Sequence, residues 1–457
     1  MARATDQSSS ESLLASQPEL QRARGRRPDW LHWPRFSQNV WLLLIYTLGK
    51  GFQISIGAVT INLYVYSLGY RQDFVGLFAG MSSLGALVMA IPAGMISDRL
   101  GRKQVMVLSG LLTPLTLVAT AFSTSESALL LSSFVNGIVA SFYWVTCIPM
   151  LAESVQEDQR VGVLAMNSFL LLGLGAMGSL IGGLVPEVAA TLLHQSSATP
   201  EPLRLGILAA SVVVLLAALP LFWLRVPAKK LPSEEAKIVP AAGDIAIAAA
   251  AVPQRNEERR KKRITISRPL LVLFAMLLIP DLLITFGEGI VVGLLQLFFF
   301  LKFGLRPGTL GGLFALAGFI GGLAGLCAPL LVKRWGKLRT TTSLQLVTGP
   351  VMLLTGFAPW LVLSASGEYI RTMLRAFIEP VYAAFALEQM PEQHRATLFG
   401  FYSVTWGLGY SLGPSLGGWL QVHVGLSAGF VVGAICLTAA PVLLLSFFGR
   451  RDKQAGL

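Results

Sequence analysis

Uninterrupted apolar stretches of about 20 residues recur along the whole chain, and the charged residues gather in the short gaps between them. A helix needs about 20 apolar residues to cross a bilayer core of about 30 Å. A chain patterned this way lacks the polar surface of a soluble globule. Only 13% of its 457 residues are charged and 54% are hydrophobic, where a soluble domain is roughly 25% charged. The 46 glycines and 24 prolines point the same way, both being commoner in membrane helices.

The hydropathy pattern predicts twelve spans, near 39–67, 74–97, 104–123, 127–151, 161–185, 205–225, 270–301, 309–332, 340–362, 365–387, 396–420 and 425–448. The expected fold is an all-α membrane protein of 12 transmembrane helices in two pseudo-symmetric six-helix halves. Residues 36–226 form the N-terminal half and 269–449 the C-terminal half. Between them, 227–268 carries Lys229, Lys230, Lys237 and the run Arg259-Arg260-Lys261-Lys262-Arg263, the composition of a cytoplasmic linker. The tails are 1–35 and 450–457. Residues 28–36, with Trp30, Trp33 and Phe36, read equally as an interfacial lead-in or as plain tail. No small-residue cleavage site follows a short apolar run, so the first run is expected to remain as the first span.

Orientation follows from lysine and arginine, which concentrate on the cytoplasmic side. With both termini cytoplasmic, 29 of the 36 fall on that side and four (Arg71, Arg204, Lys302 and Arg306) on the other. The expected location is the cytoplasmic (inner) membrane, multi-pass, with the lipid bilayer as surroundings. The net charge of +12 is no sign of nucleic-acid binding, because the positive residues lie in loops and form no basic domain. Cys147, Cys327 and Cys436 all sit in apolar runs without metal-ligand spacing, so no metal or cofactor is expected. The chain is expected to act as a monomer.

The halves repeat with an offset of 235 residues. Gly69 falls on Gly304, Arg71 on Arg306, Gly76 on Gly311, Arg99 on Arg334, Gly101 on Gly336, Glu153 on Glu388, Arg160 on Arg395 and Gly178 on Gly413. Parallel six-span repeats are a known transporter plan.

After the second span comes Gly94-Met95-Ile96-Ser97-Asp98-Arg99-Leu100-Gly101-Arg102-Lys103. This loop resembles the signature of the major facilitator superfamily. It falls between spans two and three on the positive side, where that family carries it, and the resemblance covers roughly 36–449. A degenerate copy follows span eight, with Lys333 in place of the aspartate. Gly94 permits close approach of a neighbouring helix, Gly101 a tight turn, and Asp98 suits a helix N-terminus of the other half. Arg102 can pair with Glu153. The resemblance implies that Gly94, Asp98, Arg99, Gly101, Arg102, Lys103 and Glu153 form a conformational latch. Topology alone explains Arg99, Arg102 and Lys103, but needs neither Asp98 nor the glycines. Replacing Asp98 with Asn is expected to impair transport while leaving insertion intact; unchanged uptake would sink the latch.

A second pattern, Gly400 through Gly409, Gly413-Pro414 and Gly417-Gly418, resembles the glycine-proline signature of drug/proton antiporters. In that subgroup it lies in span five, here in span eleven. Helix packing is the better reading of Gly409, Gly413, Pro414, Gly417 and Gly418.

Ionisable residues within a membrane are costly and by default mark function. Lys50, Asp281, Glu288, Arg371, Arg375 and Glu379 fall in spans one, seven and ten, which the resemblance makes cavity-lining helices. Arg371, Arg375 and Glu379 make one helical stripe. Asp281 and Glu288 share a face two turns apart, with Asp281 and Arg371 placed nearer the membrane faces. Lys50 in Gly49-Lys50-Gly51 and Glu288 in Gly287-Glu288-Gly289 form a candidate pair across the cavity, with flanking glycines that leave room for substrate. On the functional reading, Lys50 and Arg375 bind an anionic or polar group and Glu288 or Glu379 carries a proton. On the plainer one, three positive and three negative groups merely neutralise one another. Gln53, Tyr143, Trp144, Gln296 and Trp406 are further candidates for the cavity wall.

The reading is a secondary active transporter of a small organic solute working by alternating access, with proton coupling an option, and no enzyme. No nucleotide-binding loop and no nucleophile or metal cluster is visible. The rivals are a multidrug efflux transporter of the same fold and a transporter-like membrane sensor.

Overall fold

The computed structural model describes residues 36–225, 268–391 and 394–454. The expected tail 1–35, with Trp30 and Trp33, and nearly all of the expected linker 227–268 lie outside the described residues, as do the side chains of Cys327 and Lys333. Among the described residues, twelve helical segments of membrane length follow one another. They are α1 (Gln38–Ser67), α2 (Gln72–Leu100), α3 (Arg102–Phe122), α4 (Glu126–Glu153), α5 (Glu157–Ser168 continuing as Gly178–Leu193), α6 (Pro200–Ala218), α7 (Arg268–Val292 and Leu295–Phe303), α8 (Pro307–Trp335), α9 (Lys337–Phe357), α10 (Leu361–Gln389), α11 (Arg395–His423) and α12 (Ala428–Gln454). Nine are long and apolar enough to cross a membrane by composition alone. The other three, α9, α10 and α11, are diluted by polar residues that the interior uses. The outer surface is apolar, with Ile91 77% and Val362 78% exposed, a shell suited to lipid and not to water.

The helices lie in one compact unit, Gln38–Leu457. Its repeat is visible in the turns. Gly69 and Gly304, and Gly101 and Gly336, all take positive φ, the conformation that glycine adopts without a Cβ clash. Each pair is 235 residues apart. Helix pairings repeat as well: α1 packs on α5 and α6 as α7 packs on α11 and α12, and α4 packs on α2 and α3 as α10 packs on α8 and α9. Across the seam between halves, α2 meets α11 and α5 meets α8.

That seam is tight on one face only. A Cβ on Gly76 would lie 2.1 Å from the Pro414 carbonyl oxygen, and one on Gly80 2.2 Å from that of Ser411. Gly418 lies against Gln72, Gly183 against Pro307, and Gly311 against Ser179. All these positions lie toward the face opposite the signature loop. At the loop's own face the same helices separate: nothing lies within 4 Å of a Cβ on Gly162 or Gly400, and one on Gly94 or Gly325 meets only its own half, at 3.9 Å. At Gly94 the neighbouring helix is α4 of the same half, whose Val145 Cγ1 would lie 3.9 Å from a Cβ there.

Irregular backbone within the bilayer needs partners, since no water supplies them. The break in α7 at Gly293–Leu294 frees the Gly293 carbonyl. Asn62 of α1 donates to it at 2.8 Å, so a helix break in one half is satisfied from the other. Tyr66 and Phe300 pack edge-on at 6.3 Å beside this bond.

Candidate substrate cavity

α7 and α10 run in opposite directions through the C-terminal half, and their polar faces meet. Arg371 is 4% exposed. Its Nε and Nη2 donate to both oxygens of Glu368, at 2.8 and 2.7 Å, and its Nη1 to Glu288 at 2.5 Å. This bidentate geometry suits the planar guanidinium. Arg375, one turn on, donates to Glu288 at 3.2 Å and to the Tyr410 hydroxyl at 2.7 Å. Glu379 lies 3.7 Å from the Arg375 Nε. Asp281 is 4% exposed and accepts a hydrogen bond from the Thr405 hydroxyl.

Four of these charged groups, Asp281, Glu288, Arg375 and Glu379, border one cavity. α7 contributes Asp281 and Glu288, α9 contributes Gln345, α10 contributes Arg375 and Glu379, and α11 contributes Trp406 and Tyr410. The two aromatic rings stack at 4.9 Å. Chain direction orders the site: Asp281 and Glu379 stand toward the signature-loop face, while Glu288, Arg371 and Glu368 stand deeper. Asp281 and Glu288 are about 10 Å apart along the helix axis.

Five of the six charges singled out in the sequence thus come together, and Lys50 does not join them. Its ammonium is 3.4 Å from the Thr113 hydroxyl and 5.9 Å from the centre of the Tyr143 ring, both in its own half. The expected Lys50–Glu288 pair is not formed, because Arg371 and Arg375 occupy Glu288. The flanking glycines make contacts where open space was expected. A Cβ on Gly49 would strike Ala217 of α6, and one on Gly51 the Leu171 carbonyl of α5. Gly287 and Gly289 meet α12 and α11 in the same way. Residues two apart point to opposite sides of a helix, so each pair grips two neighbours and turns the residue between them inward.

Asp281 and Arg371 are each 4% exposed, both buried among the helices. Of the candidate wall residues, Trp406 lines the cavity, while Tyr143 packs edge-on against Tyr46 and Trp144. Gln53 is buried with its carbonyl oxygen unpartnered. Glu368 is the main residue that sequence reading missed. It extends the Arg371–Arg375–Glu379 stripe by one turn, a signal hidden by its place near the start of the span.

A family model described as the Major Facilitator Superfamily matches residues 40–370 and 370–457. The chain belongs to that superfamily. Its members are transporters, not enzymes. Among solved structures, a bacterial homologue of the human lysosomal transporter Spinster, in an inward-facing and unoccupied conformation, superposes with a TM-score of 0.65 at 16% identity, over 90% of this chain and 94% of that one. A D-xylose-proton symporter superposes with a TM-score of 0.67 at 14% identity, over 90% and 97%. Among curated relatives, the multi-drug resistance efflux pump PmrA of Streptococcus pneumoniae is 25% identical over 30% of this chain and 35% of its own length. A gallate transporter of Pseudomonas putida is 26% identical over 44% and 42%. The chain thus spans well under half the length of the curated relatives it matches.

The superfamily's signature loop sits at the end of α2. Asp98 and Arg99 are exposed on its last turn, and Gly101 turns the chain with φ of 94°. Arg102 forms an ion pair with Glu153, and Lys103 donates to the Phe222 carbonyl at 3.1 Å. At the equivalent place in the second half, Lys337 pairs with Glu388. Both pairs stay inside one half, so neither bridges the seam. The α11 glycines line both of its contacts: Gly409, Gly413 and Gly417 lie against α7, the Pro414 carbonyl against Gly76, and Gly418 against α2.

Proposed function

We propose that this chain is a secondary active transporter that moves a small organic solute across the cytoplasmic membrane by alternating access. The observation that carries the reading is the one-sided seam above a buried, charged cavity. Small residues close the halves on one face, and the same helices part on the other. The lysine and arginine bias makes the open face cytoplasmic, so this is an inward-facing state. Rocking the halves about the midplane then exchanges the tight contacts at Gly76, Gly183 and Gly311 for contacts around Gly94 and Asp98. In this scheme the signature loop acts when the cytoplasmic side closes.

The test is a trap at the closed face. In a background lacking the native cysteines, Tyr66→Cys with Phe300→Cys is expected to cross-link readily through a short bis-methanethiosulfonate, each thiol forming a disulfide and releasing a sulfinate. Cross-linking is expected to abolish uptake into proteoliposomes, and reduction to restore it. A cross-linked protein that still transports would overturn alternating access across this seam.

A further inference from the structure

The charges in and beside this cavity do not balance. Two guanidiniums, of Arg371 and Arg375, face four carboxylates, of Asp281, Glu288, Glu368 and Glu379. Arg371 is saturated by Glu368 and Glu288, and Arg375 is shared between Glu288 and a longer contact to Glu379. Asp281 has a hydroxyl partner in Thr405 and no cation within ion-pair distance among the described residues. Lys50 brings no relief, being buried against Thr113 and Tyr143. An excess carboxylate out of water is costly until a proton or another cation neutralises it. Arg371 is taken up by its two carboxylates and Arg375 is shared between Glu288 and Glu379, so the excess of carboxylate lies around Asp281 and Glu379, toward the signature-loop end of the cavity.

Two further observations point to a ligand there. Gln345 is 3% exposed and lines the cavity, and its carboxamide has no hydrogen-bond partner among the described residues. Buried polar groups are nearly always paired, so a bound molecule is the natural partner. The Trp406–Tyr410 stack also lines the cavity; Arg375 already sits over the Tyr410 ring at 5.9 Å, and aromatic faces of this kind attract cations through the ring quadrupole. No group of three possible metal ligands occurs among the described residues, which disfavours a bare metal ion.

We propose, resting on the transport reading above, that the cavity binds an organic cation with a bulky apolar body. Its charge lies between Asp281 and Glu379, its body against Trp406 and Tyr410, and Gln345 supplies the neutral polar contact. This places the ligand's charge on the carboxylates and not on Arg375, the group given an anion-binding role from the sequence.

The probe is tetraphenylphosphonium, whose charge does not titrate, measured by equilibrium binding to the purified full-length protein in nanodiscs. The controls are neutral triphenylphosphine oxide and anionic tetraphenylborate. The phosphonium is expected to bind at least roughly tenfold more tightly than either control. Asp281→Asn and Glu379→Gln are each expected to weaken the phosphonium by a similar factor and leave the neutral compound unchanged. Glu379 is partly exposed, so its variant keeps the test alive if Asp281→Asn misfolds. Equal binding of cation and neutral compound, tighter binding of the anion, or indifference to both substitutions would overturn the assignment. The cysteine trap separates the two readings. A protein that passes the trap but ignores the phosphonium loses the cation site and keeps alternating access. One that binds the phosphonium but still transports when cross-linked keeps the site and loses the mechanism.

Discussion

Exchanging Arg371 for methionine is expected to cost about 3–5 kcal/mol of stability, the usual penalty for removing one partner of a buried ion pair. The size follows from the geometry. Arg371 makes three charge-assisted bonds, two to Glu368 and one to Glu288, and its side chain is 5% exposed. Its removal strips Glu368 of its only cation among the described residues, leaving the Thr372 hydroxyl at 2.9 Å. Glu288 keeps Arg375 and suffers less. The loss is therefore mainly the cost of a stranded Glu368 carboxylate, and Glu368→Gln added to Arg371→Met is expected to recover most of it. Thermal unfolding of the purified variants measures both steps. A loss below about 1 kcal/mol, the size of an exposed pair, would show that water reaches this network in the working protein.

Gly76→Val is expected to disfavour closure of the face opposite the signature loop. The obstacle is backbone: a Cβ there would lie 2.1 Å from the Pro414 carbonyl oxygen, and a carbonyl in a helix cannot rotate away. Overpacking typically costs about 1–3 kcal/mol, enough to shift a two-state balance roughly 5- to 150-fold. The protein still inserts, since the substitution is apolar. Cross-linking of the Tyr66→Cys and Phe300→Cys pair is expected to fall by a factor in that range, and uptake with it. Gly94→Ala provides the contrast. The nearest atom to its Cβ is Val145 Cγ1 at 3.9 Å, so cross-linking on the opposite face is expected to stay unchanged. Full uptake by Gly76→Val would show that α2 and α11 need not meet in the cycle.

The two substituted positions differ in how much of their surroundings is encoded locally in the chain. Arg371, Arg375 and Glu379 were legible as one stripe, because residues four apart share a helix face wherever the helix sits. Their partners were not. Whether the stripe meets Lys50 or Glu288 depends on how α10 is rotated against α7 and α1, and spacing within one helix carries no information on that. Glu368 was lost for a related reason. Near the end of a predicted span, the sequence does not distinguish a residue facing water from one folded inward by its neighbours. Gly49, Gly51, Gly287 and Gly289 were visible as special positions, but a missing side chain permits either open space or contact. Only the neighbouring helices decide, and here they fill the space.

The sequence by itself determined the number of spans, their pairing into two repeats and the family loop. Those are properties of hydrophobic run length, of a constant offset and of residues adjacent in the chain. The tertiary structure alone decided which charges neutralise one another, which face of the seam is shut, and that the cavity is left with surplus acid. Those depend on helix rotation and tilt, where an ångström or two of packing determines which side chain an arginine can reach.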